Sequence, residues 1–451
     1  MLDGSKLEVV RFYPIESDDG YEYDRESAVT TAPVRRLQQK TQVYPLDIRA
    51  SSRSRLTHSL EVQCRARTVV AEVAKRNSFY FDNLYEISSI CETAALVHDV
   101  GNPPFGHFGE KVISNFFSSR LNDIFRSSLG ADHKPSSQWE NLLYPDLINF
   151  DGNAQNLRIL HSIQKLNLSA QVLGACIKVP YLIDESTDLQ AGCFYSESIL
   201  FQFIRDALEL DVGEHFELVH ILEYADNICY ALADIEDSLD RGVITLDEME
   251  KDLPRYCSGN AGAESLLMQT LREGRENGTG FIDYFRTNSL QAAICEFADV
   301  FSSSVRSGYS DEFEFNYLGA ENYLIAAMMT YAREKVFKKK EIESLEITGN
   351  SALIGLLKTY SKLLSVSRDD FNELLKGGEL SDPVLSRLFH RISHRVLETY
   401  IESVSSDDLA FEDLDEKEFY FRVRLMIDYI TGMTDTYIQT EFSLMRGLSY
   451  Y

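Results

Sequence analysis

Apolar and polar positions recur at helical spacing along most of the chain, with only short extended pieces between. Long apolar stretches alternate with acidic helical ones, which predicts an all-α, bundle-like fold. Residues 1–30 are polar with little periodicity and are expected to form a strap or loop over another part of the fold. Residues 32–50 carry a short helical pattern followed by an extended TQVYP piece, and Ala50 to Arg55 reads as a loop. A long amphipathic helix is predicted from about Arg55 to Arg76, with Leu56, Leu60, Val69, Val70 and Val73 among its apolar positions. Further helices are predicted over Tyr85–Asp99, His107–Phe117, Asp151–Leu166, Tyr195–Leu210 and Glu214–Gly242. The Ser-, Asn- and Asp-rich stretch Ser118–Pro145 is expected to be an exposed excursion. Beyond residue 243 the chain stays helical but turns acidic, with lysines at Lys338–Lys340 and no dense motif.

Composition narrows the function. The 451 residues suffice for one large domain or two to three smaller ones, and 44% hydrophobic with 25% charged residues is ordinary for a soluble protein. A net charge of -27 argues against general adhesion to nucleic acid or anionic membrane. The basic residues concentrated near the front (Arg35, Arg36, Lys40, Arg49, Arg53, Arg55, Arg65, Arg67) form either a local patch or a set of solvated and ion-paired side chains. No apolar run reaches the roughly 18 residues of a membrane span, and the acidic N-terminus lacks a signal-peptide layout. Seven scattered cysteines without a CxxC suggest reduced, buried thiols and a cytoplasmic protein.

The chemistry concentrates in Ala94–Glu110, AALVHDVGNPPFGHFGE. An apolar helical run ends at His98-Asp99, the Gly101, Pro103 and Pro104 turn breaks it, and a second run brings His107 and Glu110. With His58 earlier and Asp226 later, two imidazoles and two carboxylates could hold Mn²⁺, Mg²⁺, Fe²⁺, Ni²⁺ or Zn²⁺. Asp226, Tyr230 and Asp234, spaced i, i+4, i+8, share one helical face, though exposed acids on an amphipathic helix would read the same way. Arg158 and Lys178 are partners for an anionic group or surface charges. Asn153, Gln155 and Asn156 bond a ligand or cap a helix. His161 is a binding-site neighbour or a core histidine, and His390 with His394 reads as a surface pair.

The pattern His58…His98-Asp99…Asp226 resembles the HD superfamily of metal-dependent phosphohydrolases. The flanking segments RRLQQKTQVYPL (Arg35–Leu46), SRLTHSLEV (Ser54–Val62), HDVGNPPFGHFGE (His98–Glu110), GNAQNLRIL (Gly152–Leu160) and YADNICYALADIED (Tyr224–Asp237) look like deoxyguanosine triphosphate triphosphohydrolases. DYITGMTDTY (Asp428–Tyr437) resembles that family's C-terminal signature, while Asn227 stands where many relatives carry a second Asp.

The resemblance implies an HD-domain helical core with a helical C-terminal extension, divided as a strap over 1–54, an HD domain over 55–232 and a C-terminal region over 233–451. It implies that His58, His98, Asp99 and Asp226 hold a divalent metal, Mn²⁺ or Mg²⁺ first. His107 would be the general acid toward the leaving 5′-oxygen, with Glu110 orienting it. Arg55 would bind phosphate, joined by Lys178 and Asn153. Gln42 and Asp234 would bond the 3′-hydroxyl, and Val43 with Tyr230 would crowd the 2′ position against ribonucleotides. The implied substrate is dGTP or another dNTP, and the implied assembly is a homo-oligomer such as a hexamer, with single-stranded DNA as an effector. Two alternatives stand beside it: an HD phosphohydrolase of another nucleotide, and a non-catalytic helical nucleic-acid-binding protein.

Overall fold

The computed structural model describes residues 2–15, 20–46, 49, 52–186, 191–278, 280–307 and 319–447. The regular secondary structure of these residues is helical, without a strand; the one β-bridge joins Thr41 to Ser54. The fold is all-α. Among the described residues, no helix is long and apolar enough to cross a membrane.

The helices pack around two hydrophobic cores. Arg55–Ala74, Leu84–Val97 and Leu218–Asp240 lean on one another and build the first, through residues such as Val62, Val69, Ala94 and Ile228. Gly106–Leu129, Lys340–Tyr360 and Leu414–Thr431 build the second, through Phe117, Leu121, Leu353 and Val423. Every residue from Glu416 to Thr431 is buried, charged ones included. Burying those charges is tolerable because each finds a counter-charge or hydrogen-bond partner: Arg422 with Glu418 at 2.7 Å, Arg424 with Asp146, and Arg158 with Asp428 at 2.8 Å.

Several boundaries differ from expectation. The Arg55–Ala74 helix starts at a capping box, in which the Ser54 hydroxyl accepts from the Thr57 amide and the Thr57 hydroxyl accepts from the Ser54 amide. Its Leu60 is 45% exposed rather than part of the apolar face. Ser118–Pro145 is no exposed excursion: the helix that opens at Gly106 runs on to Leu129, and Trp139 and Leu143 are buried. Its serines and asparagines hid the buried Leu121, Phe125 and Trp139. The front segment holds the helix Tyr21–Thr30, which packs against Leu84–Val97, while Arg11 anchors the preceding stretch to Asp24. Extended backbone in the TQVYP piece is limited to the Thr41 bridge. Met1 and positions 16–19 of the expected strap, and Ala50 and Ser51 of the expected loop, lie outside the described residues. Cys64 is exposed and Cys295 half-buried, whereas the other five thiols are buried.

Candidate active site

His58 sits one turn into the capped helix and Asp226 near the middle of Leu218–Asp240. His58 Nε2 lies 3.0 Å from Asp226 Oδ1. His98 closes the group at the C-terminal cap of Leu84–Val97, just ahead of the Gly101–Pro104 turn. Its Nδ1 donates to the Ala95 carbonyl at 2.7 Å, which leaves Nε2 as the lone-pair nitrogen. That Nε2 is buried without a hydrogen-bond partner and stands 3.6 Å from both Asp99 Oδ1 and Asp226 Oδ1.

Ligating atoms of His58, His98 and Asp226 all lie within 4.8 Å of one another. Asp99 is oriented by Arg55, whose Nη1 donates to Oδ2 at 2.7 Å, and by the Asn102 amide on Oδ1. Lys178 donates to Asp226 Oδ2 at 3.0 Å. An orphaned imidazole lone pair facing two carboxylate oxygens is a donor set that fits a divalent cation.

Electrostatics keep the two carboxylates in the ligating form, while at His98 burial is outweighed by the same carboxylates, which push its pKa above the ordinary imidazole value. Burial favours the neutral carboxyl at Asp226, but Lys178, His98 and His58 outweigh it and hold the group well below the usual carboxylate range. At Asp99, burial is likewise overcome, chiefly by Arg55 and His98, and the group stays ionised.

The next helix starts on a strained turn. Phe105 and Gly106 both take left-handed backbone, φ 65° and 54°. For Phe105 this costs about 1 kcal/mol. Gly106 avoids that strain, and a Cβ there would sit 2.5 Å from Arg55 Nη2 and force the guanidinium to shift. Beyond the turn, His107 Nδ1 meets Glu110 Oε2 at 2.8 Å, and Glu110 Oε1 accepts from the Gly152 amide at 3.1 Å. The His107 side chain is 83% exposed, and its bond to Glu110 pushes its pKa above the ordinary imidazole value.

One cavity of about 360 Å³ joins the two groups. His58, Asp99, Asp226, His107, Glu110, Gln42, Val43, Arg55, Asn153, Lys178 and Tyr230 all line it. Of the predicted site residues, His98 and Asp234 do not line it. Asp234 lies fully buried two turns beyond Asp226 on the same helix, beside Tyr230, and both its oxygens lack a hydrogen-bond partner. Burial, with Asp237 nearby, pushes its carboxyl well above the usual range. Gln42 Oε1 is likewise buried and unpartnered. Phe105, Phe337, Ile342 and Glu346 also line the cavity and were not anticipated. The last three come from the region without a motif, and no local signal marks them.

Other candidates are placed elsewhere. Arg158 is wholly buried between Asp428 and Glu197, and Gln155 donates to Asp428, so both serve packing. The helix cap before Asn153 belongs to Asp151, which accepts from the Asn153 and Ala154 amides. His161 packs on Phe12 and Tyr13 with its pKa lowered by burial to about 4. His394 pairs with Glu398 on the surface. Much of the front basic cluster is consumed in ion pairs, Arg53 with Glu61, Glu236 and Asp237, and Arg67 with Glu92.

The HD domain model matches residues 55–137, which contain His58, the His98-Asp99 pair and the His107 turn. The chain is 33% identical to the deoxyguanosinetriphosphate triphosphohydrolase of Serratia proteamaculans (strain 568), covering 95% of each chain. It is 32% identical to the protein of that name from Yersinia pseudotuberculosis serotype O:3 (strain YPIII), again over 95% of each. The corresponding protein of Enterobacter sp. (strain 638) is 31% identical over 95% of this chain and 94% of its own. The chain belongs to the deoxyguanosinetriphosphate triphosphohydrolase family. In this family member the C-terminal signature Asp428–Tyr437 lies outside the cavity and works as a tie. Asp428 holds Arg158 and Gln155, and Asp435 accepts from the amides of Thr41 and Phe105.

Proposed function

We propose that this chain hydrolyses dGTP at the α-phosphate, releasing deoxyguanosine and intact tripolyphosphate. What carries the reading is the placement, across one cavity, of a His58–His98–Asp226 cluster and a His107–Glu110 pair. A divalent ion, Mn²⁺ or Mg²⁺ first, held by His58, His98, Asp99 and Asp226, would polarise the phosphate and acidify a water. Water adds at phosphorus and the bond to O5′ breaks. That alkoxide is a poor leaving group, and His107, kept protonated by Glu110, donates the proton it needs.

Arg55, Lys178 and Asn153 line the cavity and supply charge and hydrogen bonds for the phosphate chain. The unpartnered oxygens of Gln42 and Asp234 suit the 3′-hydroxyl. Val43 and the Tyr230 ring leave an added 2′-hydroxyl crowded and unpaired. Phe337, 6.1 Å from Tyr230 between ring centroids, offers the base an aromatic wall. Glu346 is an acceptor matched to the N1–H and N2–H₂ donors of guanine.

The same reading carries several finer proposals: a role in controlling dNTP pools, a cytoplasmic location, homo-oligomers such as hexamers, and single-stranded DNA as an effector. It also carries the division into a strap over 1–54, an HD domain over 55–232 and a C-terminal region over 233–451. The test is incubation of metal-loaded protein with each dNTP and with GTP, products separated. Tripolyphosphate from dGTP is the expected result. Orthophosphate or pyrophosphate would instead mean another HD phosphohydrolase. No nucleotide loss, with salt-sensitive single-strand binding, would mean a non-catalytic protein.

A further inference from the structure

The two segments assigned to sugar contact and to proton donation are held by one distant carboxylate. Asp435 opens the helix Asp435–Met445 and is 1% exposed. Its Oδ2 accepts from the Thr41 amide at 2.9 Å and the Thr41 hydroxyl at 2.5 Å. Its Oδ1 accepts from the Phe105 amide at 3.1 Å. Thr41 directly precedes Gln42 and Val43, and Phe105 begins the left-handed turn that delivers His107.

An acid in the first turn of a helix is ordinarily explained by capping or by the helix dipole. Here the cap is already made, because the Thr434 hydroxyl accepts from the Tyr437 amide at 3.2 Å. Asp435 directs both oxygens to other parts of the fold instead. A second tie joins the same three segments: the buried Lys40 ammonium donates to the Thr431 carbonyl at 3.1 Å and to the Asn102 carbonyl. The left-handed Phe105 is a conformation that persists only when its surroundings impose it, and the Asp435 bond to its amide is one such constraint. Asp435 does not line the cavity.

We propose that Asp435 is a positioning residue, whose carboxylate sets the register between the Gln42–Val43 sugar wall and the His107 turn, so that the C-terminal region governs sugar choice and proton donation without touching substrate. The proposal rests on the functional reading above for what those two segments do.

Asp435→Asn is nearly isosteric but offers an amide where Thr41 needs an acceptor. Misplacement of reacting groups by about 1 Å costs about a hundredfold in rate. The expected result is a kcat on dGTP lower by about ten- to a hundredfold, with a reduced preference for dGTP over GTP and with metal content and melting temperature near wild type. Amide hydrogen exchange, which needs no substrate, should quicken in peptides covering 41–46 and 102–108 and not elsewhere. Wild-type kcat and sugar preference in this variant, or exchange that quickens evenly along the chain, overturns the proposal. If Asp435→Asn does not fold, Thr41→Val decides through exchange without substrate, because Thr41 also lines the cavity: quickening confined to 41–46 and 102–108 supports the tie, and unchanged exchange there overturns it. Should the wild-type protein leave dGTP intact, the functional reading fails, and the exchange pattern alone then decides whether Asp435 sets the register.

Discussion

The two walls of the cavity rest on different cores. His58, His98 and Asp226 project from helices whose apolar faces build the first core, and the two imidazoles are fixed at depth, His58 1% and His98 5% exposed, with Asp226 half-buried beside them. His107 and Glu110 project from the helix whose Ile113, Phe117 and Leu121 belong to the second core. Val100 still packs in the first core and Phe105 already packs in the second, so the chain crosses between them within the Gly/Pro turn. The wall of the proposed ion site is thus set by packing and by buried charge pairs. The wall of the proposed proton donor depends on a strained turn and a single carboxylate, and its imidazole stays open to solvent. On the proposed reading, a site divided in this way keeps its ion-binding residues rigid while the donor adjusts to the leaving group.

The largest expected effect comes from the rigid wall. Asp226→Ala removes a proposed ligand and strands Lys178 beside it. Losing an electrostatic contribution of several kcal/mol corresponds to about 10³-fold or more in turnover. Metal content, measured after dialysis, should fall with it, whereas chelation of the wild-type protein should be reversed by added Mn²⁺. A variant that keeps its metal and turns over normally would remove Asp226 from the site.

On the other wall, His107→Ala should keep its metal and lose about 10²–10⁴-fold in kcat. The pH dependence sharpens the contrast. The donor must be protonated, so turnover falls as pH rises through the His107 pKa. Glu110 raises that pKa, which places the falling limb above the ordinary imidazole value of 6.5. Glu110→Gln removes the charge and should move the limb to lower pH while metal affinity holds. A limb that does not move would exclude Glu110 from tuning the donor.

Residues of both walls were legible in the sequence, but the contacts that hold the walls in register were not. The His98-Asp99 pair, the Gly/Pro turn and His107 lie in one short stretch, and helical spacing puts Tyr230 on the face of Asp226. Local rules therefore reached them. Local rules failed where the decisive partner is remote: Asp435 meets Thr41 and Phe105, and Asp428 meets Arg158, across several hundred residues. Polar composition also misled. Ser118–Pro145 carries many serines and asparagines, yet Trp139 and Phe125 bury their rings against Phe419. The buried charges of Glu416–Thr431 hid a core helix, because amphipathic periodicity vanishes when ion pairs replace apolar contacts.

The smallest expected effect tests whether the C-terminal region also sets base choice. Glu346 lies on the Lys340–Tyr360 helix, between Ile342, which packs in the first core, and Ala352 and Leu353, which pack in the second. On the proposed reading, a carboxylate there would accept from both N1–H and N2–H₂ of guanine, whereas adenine presents an acceptor at N1 and would meet repulsion. Glu346→Gln keeps the shape, removes the charge and turns one acceptor into a donor. A charge-assisted hydrogen bond contributes about 1.5–3 kcal/mol, so the preference for dGTP over dATP in kcat/KM should fall by about tenfold or more. Because the contact is to a non-reacting part of the substrate, the change should appear in KM while kcat on saturating dGTP holds. An unchanged dGTP-to-dATP ratio would return base selection to other residues. A lowered kcat with normal KM would instead place Glu346 with the chemistry of the His107 wall.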